Sequence, residues 1–342
     1  MIAPGPVPGS VPMRVLVVTN MYPTAARPYF GIFVQRQVAA LRRAGADIAV
    51  EVIAGDRGEQ DYFLARPRIM RAIRAHAPDL IHCHYGYTPL AAALSGVPYI
   101  VTLCGDDLNG ASDGRGGTTL KTRAGIPVTQ LLALGARRVI VKSEAMRRRL
   151  WPPALRKSVV LPNGIDTTLF RPGSRGEARR RLGLAGDALV IGFVNSIGQP
   201  TKRLDLAQAT RDALVRRGRP AHLLVAEQVP PADMPTYYHA ADCLLMTSDR
   251  EGAPNCVKEA LASGTPVVAV PVGDIPELID RPTRGRIVPR DPERLADAVE
   301  SLEAAPDTRP SLLPERLGDG AIAEQLLALY ADVVRGRTGK AA

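Results

Sequence analysis

Apolar positions along the chain come in two rhythms that alternate from end to end. Short runs such as RVLVVT over 14–19 show no polar face, as expected of strands covered on both sides. The stretches between them repeat apolar residues every three or four positions, the period of a helix with one buried face. In the N-terminal half this predicts strands over 14–19, 48–53, 80–83, 99–103, 138–141 and 158–161. Helices are predicted over 33–44, closed by Gly45, and over 68–77, 90–94, 128–134 and 144–150. A turn at Asn163-Gly164 interrupts the pattern. It resumes with strands over 189–195, 221–226 and 243–247, helices over 204–216 and 254–263, a strand ending at Val270 and a last amphipathic helix over 321–334. Strand and helix in this alternation imply right-handed βαβ units and doubly wound parallel sheets, with ligands at the carboxyl ends of the strands.

Length and composition bound this picture. A chain of 342 residues with 46% hydrophobic content can bury two ordinary cores, and no stretch is long and apolar enough to span a bilayer. Two soluble domains are expected. The opening MIAPGPVPGSVP lacks the basic and apolar regions of a secretory signal, so 1–12 reads as a disordered leader, with Met13 a candidate start. Cys83, Cys104, Cys243 and Cys256 are far apart, with neither a disulfide framework nor metal-ligand spacing, which points to a reducing cytoplasm.

The net charge of +10 invites a nucleic-acid or membrane reading. Its arginine clusters over 147–157 and 171–182 lack the interleaved aromatics of a single-strand groove, so nucleic acid is set aside. Peripheral contact with an anionic membrane stays open, because Met146, Leu150 and Trp151 flank Arg147–Arg149 in an amphipathic segment.

Candidate chemistry concentrates in EGAPNCVKEALASGTPVVAV over 251–270. Pro254 suits a first helical turn, and Gly264 with Pro266 ends the helix. Such a helix start offers unpaired N–H groups and positive dipole to a phosphate. Glu251 and Glu259 read either as solvated helix-end charges or as carboxylates reaching sugar and ribose hydroxyls; the flanking Gly-x-Pro-Asn favours the second. In the first half, Gly31 opens a helix after the first strand, where its backbone can approach a diphosphate. The third strand ends in HCHYGYT, read with His82 and His84 on opposite faces: His82 for the core, His84 for the crevice. The glycine-rich 110–127 reads as a mobile loop or plain disorder.

The string TSDREGAPNCVKEALASGTPVVAVPVGDIPELI resembles the nucleotide-sugar site of glycosyltransferase family 4, most closely the branch containing teichuronic acid biosynthesis enzymes. The resemblance implies the GT-B fold, an α/β architecture of two Rossmann-like domains, and metal-independent retaining transfer from a nucleotide-diphosphate sugar, UDP- or GDP-linked. Its Glu-x7-Glu spacing falls on Glu251 and Glu259, and its diphosphate lysine on Lys202 in NSIGQPTKRLDL. The family arginine is absent: its place falls on Ile197, with Arg203 or Asn195 as compensators. TLCGDD matches the family pattern at Thr102, Gly105 and Asp107, with Cys104 where many members carry histidine. The family's interdomain motif falls on PNGID over 162–166, which implies domains of 13–170 and 171–320, a hinge near Phe170 and a final helix packed back on the first domain. The C-terminal domain looks trimmed between the strands over 221–226 and 243–247. The resemblance thus assigns Glu251, Lys202 and His84 to catalysis. Gly31, Lys202, Arg203, Glu251, Gly252, Pro254, Asn255, Cys256, Val257 and Glu259 go to the donor, and Cys104, Asp107 and Asn163 to the acceptor or sugar. No resident cofactor is expected. The acceptor is a saccharide, a lipid-linked saccharide or a small molecule. Two other readings use the same residues: a nucleotide-sugar isomerase and a non-catalytic nucleotide-sugar-binding protein.

Overall fold

The computed structural model describes residues 12–25, 27–55, 58–110, 119–184, 188–195, 199–302 and 306–338. The chain forms two compact units; within the described residues the first comprises 12–164 with 319–338, and the second 165–318.

The first unit is built on strands β1 (Arg14–Thr19), β2 (Asp47–Val52), β3 (Leu80–His84), β4 (Tyr99–Thr102), β5 (Val139–Val141) and β6 (Ser158–Val160). They form one parallel sheet in the order β2-β1-β3-β4-β5-β6. Between them run α1 (Ile32–Arg43), α2 (Gln60–Leu64), α3 (Arg66–His76), α4 (Pro89–Ala92), α5 (Asp106–Asn109), α6 (Leu120–Gly135), α7 (Glu144–Arg147) and α8 (Pro152–Leu155). The second unit carries α9 (Arg175–Arg181), β7 (Leu189–Val194), α10 (Leu204–Arg216), β8 (Ala221–Ala226), α11 (Met234–Ala240) and β9 (Cys243–Met246). Then come α12 (Asn255–Ala262), β10 (Val267–Ala269), α13 (Ile275–Leu278), β11 (Gly285–Ile287) and α14 (Pro292–Glu300). Its five parallel strands run β11-β10-β9-β7-β8. The last helix, α15 (Asp319–Thr338), belongs to the first unit.

Both sheets are covered on both faces, which is why their strands read as unbroken apolar runs. In β1, Leu16 and Val18 face one core with Tyr62, Ile69, Ala133 and Leu150 from α2, α3, α6 and the turn after α7. Val15 and Val17 face the other, with Val34 and Val38 of α1 and Leu326 and Tyr330 of α15. Each such fully covered aliphatic side chain contributes roughly 1.5–3 kcal/mol. The second unit repeats the plan, with α11 and α12 on one side and α10 and α14 on the other.

Three expectations change. Helix α6 begins at Leu120 and not at the expected 128, so part of the expected loop over 110–127 is helical, with Pro127 inside the helix on its exposed side. The rest of that loop and nearly all of the leader lie outside the described residues. The boundary expected at 170/171 moves: the chain passes between units at Gly164–Ile165 and Gly318–Asp319, and Phe170, 1% exposed, packs edge-on to Tyr238 in the second unit's core. Met146 and Leu150 are core residues, so the segment over 146–151 presents Trp151 and arginines and no amphipathic face. No helix among the described residues is long and apolar enough to cross a membrane.

Candidate functional site

In an open parallel sheet the crevice for a ligand opens where neighbouring strands send their connections in opposite directions. In the second unit this point lies between β7 and β9, since β7 leads to β8 on one side and β9 to β10 on the other. The two loops flanking it carry Lys202 and Glu251.

Lys202 ends a 3-10 turn, Pro200–Lys202, which Arg203 closes in the left-handed region at φ 57°. The end of β9 clamps that turn. Thr247 Oγ1 donates to the Lys202 and Arg203 carbonyls at 2.9 and 3.0 Å, and Asp249 N donates to the Thr201 carbonyl at 2.8 Å. Lys202 Nζ then donates to Glu251 Oε1 at 2.7 Å, with both side chains largely covered. Burial works against the ammonium, but the charge and hydrogen bond of Glu251, with Cys256 nearby, outweigh it, so the Lys202 pKa is raised and the lysine stays charged.

Helix α12 begins at Asn255, one residue later than the sequence predicts, with Pro254 as an extended N-cap at φ −65°, ψ 122°. The ring cannot supply a capping oxygen, and no side-chain cap bond forms. Cys256, on the first turn, is close enough to Lys202, Glu251 and Glu259 to feel all three charges, and burial pushes its thiol up to about 12. Glu259, one turn deeper, accepts from Tyr238 Oη at 2.9 Å. The second unit thus brings together Lys202, Glu251, Cys256 and Glu259. Val257 differs: its side chain is fully buried in the core, so it can offer a ligand only its backbone. The Arg203 guanidinium engages Asp205 at 2.8 and 2.9 Å and Asp249 at 3.2 Å, so its fork is already matched to carboxylates. Asn195 likewise gives its amide to Glu227, and Ile197 lies outside the described residues.

Lys258, with Asp274 and Gly273 after β10, supports this loop, and of the three Lys258 escaped the sequence reading. Lys258, wholly buried within α12, points its Nζ back to the Ala253 carbonyl at 3.4 Å. Desolvation lowers its pKa, partly offset by the neighbouring Asp274 and Glu259. Asp274 is itself 5% exposed, and burial pushes it up to about 6 against the pull of Lys258. Gly273, at φ +59°, abuts the site loop: a Cβ there would stand 2.7 Å from the Gly252 carbonyl oxygen. The sequence VGDIPELI after β10 already offers the Gly273 backbone N–H to a ligand.

In the first unit, Gly31 adopts φ +73° at the start of α1, and a Cβ there would lie 2.2 Å from the Met21 carbonyl carbon. The residue is glycine because two backbone segments meet there. His82 and His84 share one face, as the two-residue repeat of a strand requires; their rings lie 4.2 Å apart, which overturns the opposite-face expectation. His82 Nδ1 lies 2.6 Å from Tyr330 Oη and its Nε2 2.7 Å from Thr102 Oγ1, tying α15 to the sheet. Burial, then the charge of Lys142, lowers its pKa to about 3. His84 is also fully covered, with Gln37 Nε2 3.5 Å from its Nε2 and its Nδ1 unpartnered. Burial, then His82 and Lys142, holds its pKa far below the ordinary range. It is not open to solvent in a crevice.

Asp107 is 4% exposed and organises the loop after β4. Its oxygens accept from the backbone N–H groups of Gly86 (3.1 Å), Cys104 (3.0 and 3.1 Å) and Gly105 (2.9 Å), while burial raises it to about 6. Cys104 is half-buried, with Sγ 3.7 Å from the Thr102 carbonyl and its thiol pushed up to about 12 by burial. Asn163 lies in the turn just before the chain enters the second unit.

Two family models divide the chain. One described as Glycosyltransferase Family 4 matches residues 13–169, and one described as Glycosyl transferases group 1 matches 193–304. TuaC of Bacillus subtilis, whose name assigns it to teichuronic acid biosynthesis as a glycosyltransferase, is 24% identical over 359 residues, covering 85% of this chain and 89% of that protein. A D-inositol 3-phosphate glycosyltransferase of Frankia alni is 31% identical over 301 residues, covering 74% and 73%. Among solved structures, a sucrose-phosphate synthase from Thermosynechococcus elongatus superposes with a TM-score of 0.74 at 20% identity, over 95% of this chain and 100% of the other.

Proposed function

Because this chain belongs to glycosyltransferase family 4 and has the GT-B fold, we propose that it moves a sugar with retention from a nucleotide-diphosphate sugar to a hydroxyl acceptor. The observation that carries this reading is the 2.7 Å Lys202–Glu251 pair at the switch point of the second sheet, beside the first turn of α12. The Lys202 ammonium meets the donor diphosphate and stabilises the charge that develops on it as the glycosidic bond breaks. The N–H groups at the start of α12 take the remaining phosphate oxygens. Glu259 receives the ribose hydroxyls. Glu251, held by Lys202, turns to the hydroxyls of the sugar. The leaving phosphate oxygen accepts the proton of the acceptor hydroxyl while the new carbon–oxygen bond forms on the same face of the sugar. This assigns the protein positioning and electrostatic stabilisation, with no divalent cation and no covalent intermediate.

His84, fully covered and neutral, supports the end of β3 and touches no reactant, and Asp107 shapes the loop after β4. Cys104 and Asn163 remain on the acceptor side. On this reading UDP- or GDP-sugars are the donors, and the product belongs to cell-surface polysaccharide, glycolipid or natural-product assembly; the teichuronic acid biosynthesis name of one relative supports the first of these. Lys202→Ala and Glu259→Ala should each abolish transfer while leaving the fold intact, and near-normal turnover in either would sink the assignment. Nuclear magnetic resonance of the product reads retention independently, since an inverted linkage contradicts it. Sugar conversion without any acceptor would instead identify an isomerase.

A further inference from the structure

Helix α6 reverses the usual arrangement of a surface helix. Beyond Arg123, every exposed position on it is apolar: Ala124, Pro127, Val128, Leu131 and Gly135, spaced three or four apart along one side. Leu131 is 58% and Val128 36% exposed, whereas Thr129 and Gln130 face inward. A helix apolar on both sides is normally covered all round. Gln130 joins this stripe to the turn after α7, donating to the Arg149 carbonyl at 2.8 Å and accepting from Trp151 N at 3.1 Å. That turn shows the Trp151 ring, 40% exposed.

The apolar surface continues along the same helical layer. Phe63 and Leu64 end α2 at 60% and 66% exposure, and Leu94 follows α4 at 95%. Tyr87, against Gly125 of α6 and 5.6 Å from the Tyr62 ring of α2, links the two parts. Charge follows the stripe. Neither 120–135 nor 145–157 contains an Asp or Glu, while Arg123, Arg148, Arg149 and Arg156 are exposed beside the apolar positions; Glu144, just before, lies 4.0 Å from Arg148, and Glu59 and Asp61 are the acidic residues at the α2 end. The opposite layer of the unit, α1 and α15, carries no such combination among the described residues.

We propose that this layer docks on the surface of an anionic lipid bilayer, with Val128, Leu131 and Trp151 entering the headgroup boundary and Arg123, Arg148 and Arg149 meeting lipid phosphates. An amphipathic aromatic and guanidinium heads on apolar stems suit that boundary. A second copy of the chain fits less well, because a two-fold contact sets the same arginines against each other. The proposal stands independently of the transfer reading.

Trp151 is the chain's single tryptophan, so its emission reports this face alone. With vesicles of phosphatidylcholine and phosphatidylglycerol, the emission should shift to the blue and be quenched by brominated acyl chains, and the protein should co-sediment, less so as salt rises. Arg148→Ala and Arg149→Ala should each weaken vesicle binding roughly fivefold. Leu131→Asp, at an exposed site, should abolish it with unchanged thermal unfolding. The quenching measurement needs no variant. Absence of shift and quenching, equal binding to phosphatidylcholine alone, or wild-type binding by Leu131→Asp overturns the proposal. So does a lipid-free dimer that Leu131→Asp dissolves.

Discussion

Removing the charge of Lys202 separates a structural ion pair from a working one. At 2.7 Å, with both side chains largely covered, the gross attraction between Lys202 and Glu251 is about 6 kcal/mol at an effective dielectric constant of ~20. Desolvating the two ions offsets most of it, so the net contribution is far smaller. In Lys202→Met, the covered Glu251 carboxylate loses its partner, which should cost on the order of 2 kcal/mol. Glu251→Gln leaves the ammonium without its counter-charge, at a similar cost. In the double variant neither charge is left, and most of the stability should return. Transfer should not: loss of an electrostatic stabiliser in a covered site lowers kcat by roughly 10²–10³. Urea midpoints and initial rates on the four proteins test this directly. If the double variant regains turnover along with stability, the pair is only a strut between two loops and the reasoning fails.

The remaining predictions concern groups around the site. His82, held by Tyr330 and Thr102, should stay neutral from pH 8 to 5 in a resonance titration, and a midpoint near 6.5 would refute the buried network. Because its folded pKa of about 3 lies below the unfolded value, it contributes a loss of stability as pH falls below about 6.5, of roughly 1.4 kcal/mol per pH unit. Asp107 and Asp274, both raised to about 6, act in the opposite sense and lower stability as pH rises through that value. Lys258→Met deprives Asp274 of the cation that holds its pKa down, so the variant should lose more stability than wild type between pH 5 and 8; parallel profiles would contradict their coupling. Gly273→Ala forces a Cβ against the Gly252 carbonyl at a left-handed position and should displace the site loop, raising the donor KM with little change in the unfolding midpoint of the first unit. An unchanged KM would show that the loop has room.

The alternation of strands and helices is readable in the chain because parallel strands covered on both faces are plain runs of Val, Ile and Leu. RVLVVT and VIV need no partner in order to be recognised. The helix over 120–127 is not, since Pro127 looks like a helix start, and only the structure shows its missing N–H inside α6. Within the site, Glu251 and Glu259 announce themselves by their spacing around a helix start. Lys258 does not: a lysine in a helical period reads as solvated, whereas this one is wholly buried and within electrostatic reach of Asp274. Gly31 could be read for its conformational freedom, but not for the Met21–Tyr22 backbone that requires it. The histidine pair shows the strand repeat misapplied, since residues two apart share a face.

The central claim is that the switch point between β7 and β9 holds a nucleotide-diphosphate sugar through Lys202. Thermal unfolding with UDP-, GDP-, ADP- and TDP-sugars tests it most directly, because a ligand that binds only the folded chain adds roughly 2.7 kcal/mol at a hundredfold excess over its Kd. One nucleotide class should raise the wild-type Tm and leave Lys202→Ala unmoved. A Tm indifferent to all four, or an equal rise in the variant, would contradict it.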